Sequence, residues 1–279
     1  MSSKKIKKTV FITGVSGFIG GNLAKRLSID FNVLGLDKRK GEFTSVLGDL
    51  ESLNKENLGN VDIIIHLAAA LPGDDKEAMH RINVEGTRRL LELSKKSGVK
   101  RFIFASTGGI FERGDKITID SLKKIENEYA KTKEIAGNIL LSQTDVEVCI
   151  LYLFFPYGPQ QREPRLIPRL INKINNGEAI EINENGGPTL SFTYIDDLTE
   201  QIGRLCLMDK VEKEVIISGN DAKMEKVIGL IGKIIGKKPE IRYLKNDGDM
   251  IAEDTAHNIT KYFPKIDIEE GLRRTILFN

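Results

Sequence analysis

Tyr129 and Lys133 stand four residues apart in N-E-Y-A-K-T-K-E, a spacing that could carry a proton. Residues at i and i+4 share one face of a helix, so the ammonium can stabilise the phenolate and poise the hydroxyl as acid or base. An unshifted tyrosine has a pKa of about 10, so base chemistry near neutrality needs such a cation. Taken alone the spacing is a weak signal, because most Tyr and Lys pairs on helices only face water. The glycine turn T-G-V-S-G-F-I-G at Thr13 to Gly20, far upstream, gives it weight.

Gly14, Gly17 and Gly20 recur at every third residue between a strand-like run and a helical one. Glycine there permits a tight turn and lets backbone amides, with Phe18 and Ile19 among them, approach a diphosphate at a helix N-terminus. The pattern is G-x-x-G-x-x-G, not G-x-G-x-x-G, so its placement carries the argument more than its letters. Asp37 closes V-L-G-L-D about twenty residues further on, where a carboxylate can accept from both hydroxyls of an adenosine ribose. That favours NAD. Lys38 and Arg39 follow at once and could instead embrace a 2′-phosphate, which leaves NADP open.

These residues need a scaffold, and the first half of the chain supplies one. Strand-length apolar runs, Thr9 to Thr13, Asn32 to Leu36, Thr44 to Leu47, Asp62 to Leu67, Arg101 to Ser106 and Val146 to Phe154, alternate with helical patterns. Near-continuous apolar strands separated by helices predict a parallel sheet covered on both faces, a doubly wound α/β fold. Helices are expected over Asn22 to Leu27, Glu77 to Ser97 (stopped by Gly98) and Glu126 to Leu141, the last bearing Tyr129. Pro156, Pro159, Pro164 and Pro168 then break the regular layering. The expected division is a first domain over 1–160, with 190–218 returning to it, and a smaller substrate domain from 161–189 and 219–279.

Composition excludes several other classes. Forty-two Lys and Arg against forty Asp and Glu give a formal charge of +2, too near balance to imply binding to nucleic acid or to an anionic membrane. The basic start at Lys4, Lys5, Lys7 and Lys8 reads as a solvated lead-in to the first strand. Cys149 and Cys206 lie in apolar runs without metal-ligand or redox spacing, so no metal site is expected and a reducing cytosol fits. The apolar run after the lysines is too short for a signal-peptide core, and no stretch approaches the ~20 apolar residues of a membrane helix. A soluble, cytoplasmic protein is expected.

Further motifs stand in order: G-D-L at Gly48 to Leu50, H-L-A-A at His66 to Ala69, N-V-E-G-T at Asn83 to Thr87, F-A-S-T at Phe104 to Thr107, Y-G-P at Tyr157 to Pro159 and Y-I-D-D at Tyr194 to Asp197. With the glycine turn, Asp37, Tyr129 and Lys133, they resemble the extended short-chain dehydrogenase/reductases, the NAD-dependent epimerase/dehydratases of nucleotide sugars, from Thr9 to about Leu277. The resemblance implies a Rossmann domain with a small C-terminal α/β substrate domain and a homodimer formed through helices near Glu85 to Ser97 and Glu126 to Leu141. It implies that Asp49 caps the adenine, with Leu50 beside it, and that Leu67, Ala68, Ala69 and Ala70 lie against the cofactor. Tyr129 would move the hydroxyl proton, Lys133 would bind the nicotinamide ribose, and Thr107 would orient the sugar. Phe155, Tyr157 and Arg162 are the further candidates for substrate contact. His66 reads as a strand residue, not a catalyst.

The chain also departs from that pattern. Gly108 and Gly109 replace the acidic pair by which dehydratases of the family expel water, which argues against a 4,6-dehydratase. Tyr152 and Phe155 stand where many members have arginine and asparagine. Leu190 or Ser191 replaces a second arginine, and Asn246 to Asp249 replaces a third arginine-bearing motif. Arg162, Arg165 and Arg169 could supply the missing charge or form a solvated helix face. The function expected is NAD-dependent epimerisation of a nucleotide sugar, at C4. The alternative is a reductase of a keto-sugar nucleotide using NADPH through Lys38 and Arg39, and the third reading is a cofactor-binding sensor without catalysis.

Overall fold

The computed structural model describes residues 7–245, 254–256 and 264–278; the Asn246 to Asp249 segment lies outside them. The strands are β1 (Thr9–Thr13), β2 (Asn32–Asp37), β3 (Val46–Leu47), β4 (Ile63–His66), β5 (Arg101–Thr107), β6 (Gly114–Ile117), β7 (Glu147–Leu153), β8 (Pro156–Tyr157), β9 (Ile180–Asn183), β10 (Thr189–Tyr194), β11 (Glu214–Ile217), β12 (Asn220–Lys223), β13 (Ile241–Leu244) and β14 (Asp254–Ala256). The helices are α1 (Phe18–Leu27), α2 (Lys76–Met79), α3 (Gly86–Ser97), α4 (Glu128–Leu141), α5 (Leu166–Asn176), α6 (Ile195–Leu207), α7 (Met224–Ile235) and α8 (Ile268–Leu277).

Two compact units divide the chain. The first comprises Met1–Phe111, Leu122–Leu153 and Thr199–Val215; the second comprises Glu112–Ser121, Phe154–Leu198 and Ile216–Asn279. The first is built on a sheet of order β11-β7-β5-β4-β1-β2-β3, in which β1 pairs in parallel with both β2 and β4. Val10, Phe11, Ile12, Ile64, Ile65, Phe102, Ile103 and Phe104 are completely excluded from water, as expected for parallel strands covered on both faces. The strand order reverses beside β1, and the ends of β1, β2, β4 and β5 carry the candidate residues Gly14, Asp37, Leu67 and Thr107. A crevice at the carboxyl ends of such strands is where open α/β sheets take ligands.

The unit boundaries differ from those expected, and strand pairing explains why. β10 pairs with β12 and β14, so the chain returns to the first unit at Thr199, inside α6, not at residue 190. β14 also pairs with β6, which takes Glu112–Ser121 into the second unit although these residues lie early in the sequence. The first break falls after Leu153 rather than at residue 160. Locally, the run expected from Thr44 shrinks to the two residues of β3, and α1 begins at Phe18, earlier than Asn22. The long helix ending at Ser97 is interrupted by a π-helical turn at His80–Glu85.

Candidate active site

The glycine turn opens α1 directly. Gly14 has φ +73°, in the left-handed region, and a Cβ there would sit 3.0 Å from the Ala68 amide nitrogen. At Gly20 a Cβ would lie 2.1 Å from the Gly14 carbonyl oxygen, so only hydrogen lets the turn close on the helix. Gly17 caps α1 without a side-chain hydrogen bond, and the first turn holds no acidic residue. The orphan N–H groups of that turn and the positive end of the helix dipole therefore suit an anion.

Asp37 ties β2 to this turn. Its Oδ2 accepts from Ser16 N–H at 2.9 Å and its Oδ1 from Arg39 N–H at 2.9 Å. Each oxygen keeps a lone pair for a ribose hydroxyl. Arg39 is exposed, and its guanidinium donates to Ser16 O at 3.0 Å and lies 3.8 Å from Asp37. Lys38 lies 3.8 Å from Asp49, whose Oδ1 accepts from Glu51 and Ser52 N–H groups, with Leu50 buried beside it. Both cations thus answer to carboxylates. Glycine cradle, uncapped helix and diol-ready carboxylate fit NAD. Asp37→Ser is expected to weaken NAD by about 10–100-fold, the worth of charge-assisted hydrogen bonds of about 1.5–3 kcal/mol, while NADP is spared. Calorimetric titration with both nucleotides checks this; unchanged selectivity would remove Asp37 from the ribose site.

Leu67, Ala68 and Ala69 form a half-buried loop after β4, ending at buried Ala70. His66 is wholly buried, as its strand position led one to expect. Thr87 Oγ1 donates to Asn83 O at 2.6 Å, so it must accept from His66 Nε2–H at 3.0 Å. His66 Nδ1 then accepts from Thr13 Oγ1 at 2.6 Å, and Thr13 Oγ1 accepts from Ala68 N–H at 3.1 Å. Burial, helped by the charge of Lys133, drives the imidazole pKa down to about 3. Below the unfolded value of about 6.5 the unfolded chain therefore binds a proton that the native one refuses, and stability falls from pH 6.5 toward 3. His66→Leu is expected to cost about 2–3 kcal/mol at pH 7, because Thr13 loses its acceptor. Its deficit against wild type should narrow at pH 4 in denaturant titrations; a constant gap would refute the neutral buried histidine.

Helix α4 carries Tyr129 and Lys133 and brings Lys133 to β5. Asn127 caps it, Oδ1 accepting from Ala130 N–H at 2.8 Å, and Glu128 opens the first turn with favourable charge. Tyr129 follows, half-buried, with Thr132 Oγ1 donating to its carbonyl at 2.9 Å. Lys133 is 2% exposed, its ammonium 3.9 Å from the centroid of the Phe104 ring on β5. Burial pulls its pKa down to about 7. Thr107 ends the same strand, half-buried, and its Oγ1 accepts from Gly109 N–H at 3.1 Å, so the hydroxyl hydrogen remains to donate. Lys133 thus packs on the middle of the strand that ends at Thr107.

Residues 10–217 match the family model described as the NAD dependent epimerase/dehydratase family. The chain belongs to this family. It is 29% identical to a UDP-glucuronate 4-epimerase of Thermodesulfobacterium geofontis, over 95% of this chain and 94% of that protein. Among solved structures it resembles MoeE5 in complex with UDP-glucuronic acid and NAD (29% identity, TM-score 0.82, 97% and 98% of the two chains covered). It also resembles a UDP-glucuronic acid 4-epimerase from Bacillus cereus in complex with NAD (25% identity, TM-score 0.86, 97% and 98% covered).

The remaining candidates of this epimerase/dehydratase family member belong to the second unit. Phe155 is half-buried with φ +35°, and Arg162, Arg165 and Arg169 are exposed, Arg165 preceding α5. Tyr157 corrects an expectation. It is fully buried, packed edge-on against Phe192 and Tyr194, and its hydroxyl fills the space where a Cβ on Gly271 would stand. Burial pushes its pKa up, and it is a core residue, not a substrate contact. Tyr152 is likewise committed, donating to Glu214 at 2.6 Å, and Leu190 is buried. Sequence reasoning assigned no role to Asn83. This buried side chain accepts from Ala70 N–H at 2.8 Å and donates to Ala70 O at 3.1 Å and Thr132 Oγ1 at 3.0 Å, joining the loop after β4 to α4. An asparagine within an otherwise helical pattern was the available signal, and the π turn is what aims it inward.

Proposed function

We propose that this protein is an NAD-dependent nucleotide-sugar 4-epimerase. The observation that carries the reading is that β5 ends in Thr107, a hydroxyl with a free hydrogen, and carries on its Phe104 ring the buried Lys133 of the Tyr129 helix, in the unit whose glycine turn and Asp37 fit NAD. The 4-epimerase relative and the NAD complexes of the neighbours support it. Asp37 and Asp49 hold the adenosine end, the α1 N-terminus takes the diphosphate, and Lys133 meets the nicotinamide ribose. When bound, NAD accepts a hydride from the sugar carbon and returns it.

The chain's own residues move the proton. Thr107 donates to the reacting sugar oxygen and fixes it, and Tyr129, as phenolate stabilised by the Lys133 ammonium, takes the C4 hydroxyl proton. The same phenol gives it back once the keto-sugar has turned over and presents its other face. Net redox is zero. Gly108 and Gly109 offer no acid to expel water at this point. A reductase drawing NADPH through Lys38 and Arg39 is not favoured, since both side chains are directed to Asp49 and Asp37.

Incubation with UDP-glucose, UDP-glucuronic acid and dTDP- and GDP-hexoses in D₂O tests the reading. The expected result is a C4 epimer without deuterium at C4 and without net change in NADH absorbance. Consumption of reduced nucleotide, or no epimer from any of them, would overturn it. No helix among the described residues is long and apolar enough to cross a membrane. We place the enzyme in the cytosol, which suits its two buried free thiols, and take it as a homodimer, for which light scattering should give twice the chain mass.

A further inference from the structure

Between Thr107 and Tyr129 the chain leaves the first unit at Phe111 and re-enters it at Leu122. The re-entry is pinned at once: Phe111 and Lys123 form an antiparallel bridge, and Lys124 N–H donates to Ile110 O at 2.9 Å. From this bridge the Lys123 ammonium reaches Glu134 Oε1 on α4 at 3.2 Å and Glu214 Oε1 on β11 at 4.0 Å. It also lies 5.8 Å over the ring of Tyr152 on β7. Tyr152 donates to the same Glu214 oxygen, and its ring takes Phe111 edge-on at 4.9 Å. Glu134 directly follows Lys133 in the chain.

One cation therefore serves two carboxylates. The Glu134 side chain is only 16% exposed and that of Lys123 32%, so this pair is less screened than a surface ion pair. Without Lys123, the Glu134 and Glu214 carboxylates would lose the cation they share. Repulsion would push α4 from the bridge that continues into the Thr107 loop. Only a short strap, Lys124 to Glu126, separates that bridge from Asn127, the N-cap of the Tyr129 helix.

We propose that Lys123 is a positioning residue for the two reacting hydroxyls. By joining the strap to Glu134 and Glu214 it sets the distance between Thr107 and Tyr129, which must meet one sugar oxygen together. This rests on the reading of Thr107 and Tyr129 as the reacting pair. A misplacement of about 1 Å costs on the order of 10²-fold in rate, so the clasp matters without touching substrate.

Four proteins test it: wild type, Lys123→Met, Lys123→Arg and the double variant Lys123→Met with Glu134→Gln. Each is assayed for kcat, KM and bound NAD, and for amide hydrogen exchange over residues 122–130. Lys123→Met is expected to lose about 10–100-fold in kcat while KM and NAD content stay within about twofold, and to exchange faster over the strap and first turn of α4. Lys123→Arg should restore both, and removing the Glu134 charge should restore part. An unchanged kcat, a loss shared by KM and NAD content, or no rescue by arginine overturns the proposal. If wild type epimerises no sugar, the functional reading falls instead. The exchange comparison still decides whether Lys123 holds the strap, and equal exchange in all four proteins would end the proposal by itself.

Discussion

Tyr129→Phe is expected to lower kcat by about 10²–10⁴-fold, the usual worth of a positioned general acid or base, while leaving NAD content near wild type. Phenylalanine keeps the ring and the half-buried shape, and the Asn127 cap and Thr132 hydrogen bond act through the backbone, so α4 keeps its start. What disappears is the phenol oxygen to which the proposed mechanism gives the C4 proton. The loss should fall on kcat and kcat/KM alike, because the interaction is made with the proton in flight and not with bound sugar. NMR of substrate and product pools gives the rate, and mass spectrometry of denatured protein gives the nucleotide. A variant retaining more than a tenth of wild-type kcat would shift the proton to another group, with the Thr107 hydroxyl the next candidate.

How far the site could be read from the sequence follows from how local each residue's task is. The position of Asp37, at a strand end beside the glycine turn, was legible because both are written in short segments. That Tyr129 and Lys133 share a helix was legible through one helical turn. Asn83 was not, because its value lies in a π turn that rotates it toward Ala70 and Thr132, and such a turn leaves little trace in apolar periodicity. The second unit was harder still. β6, β10 and β14 come from three distant segments, and a three-residue strand such as β14 has no pattern of its own; its place is fixed by Ser191 Oγ accepting from Ala256 N–H and Lys116 N–H donating to Thr255 Oγ1. Tyr157 misled for a related reason: a motif that lies next to a substrate segment does not say which way a side chain points, and here it points into the core.

Lys133→Met should separate what the site does for catalysis from what it costs the fold. Loss of the cation is expected to lower kcat by about 10²–10³-fold, the scale for removing one preorganised electrostatic partner of a developing charge. Stability of the NAD-free protein should move the other way. The ammonium is buried against the Phe104 ring, and burial holds its pKa near 7, well below the unfolded value of about 10.4. Between those values the unfolded chain binds a proton that the native chain lacks, so stability rises with pH across this window, and the penalty is fullest below pH 7. Methionine fills similar volume without charge and removes that penalty, so the variant should exceed wild type by on the order of a few kcal/mol at pH 6 and by progressively less toward pH 10. Cation–π attraction to Phe104 offsets part of the gain, about 0.5–2 kcal/mol. Urea titrations at pH 6, 8 and 9.5 decide the matter: a variant less stable than wild type at pH 6, or an advantage that grows with pH, would mean that the charged ammonium is satisfied in the native state. A stabilised but inactive variant would mark Lys133 as a charge kept in an unfavourable place for the phenolate it serves.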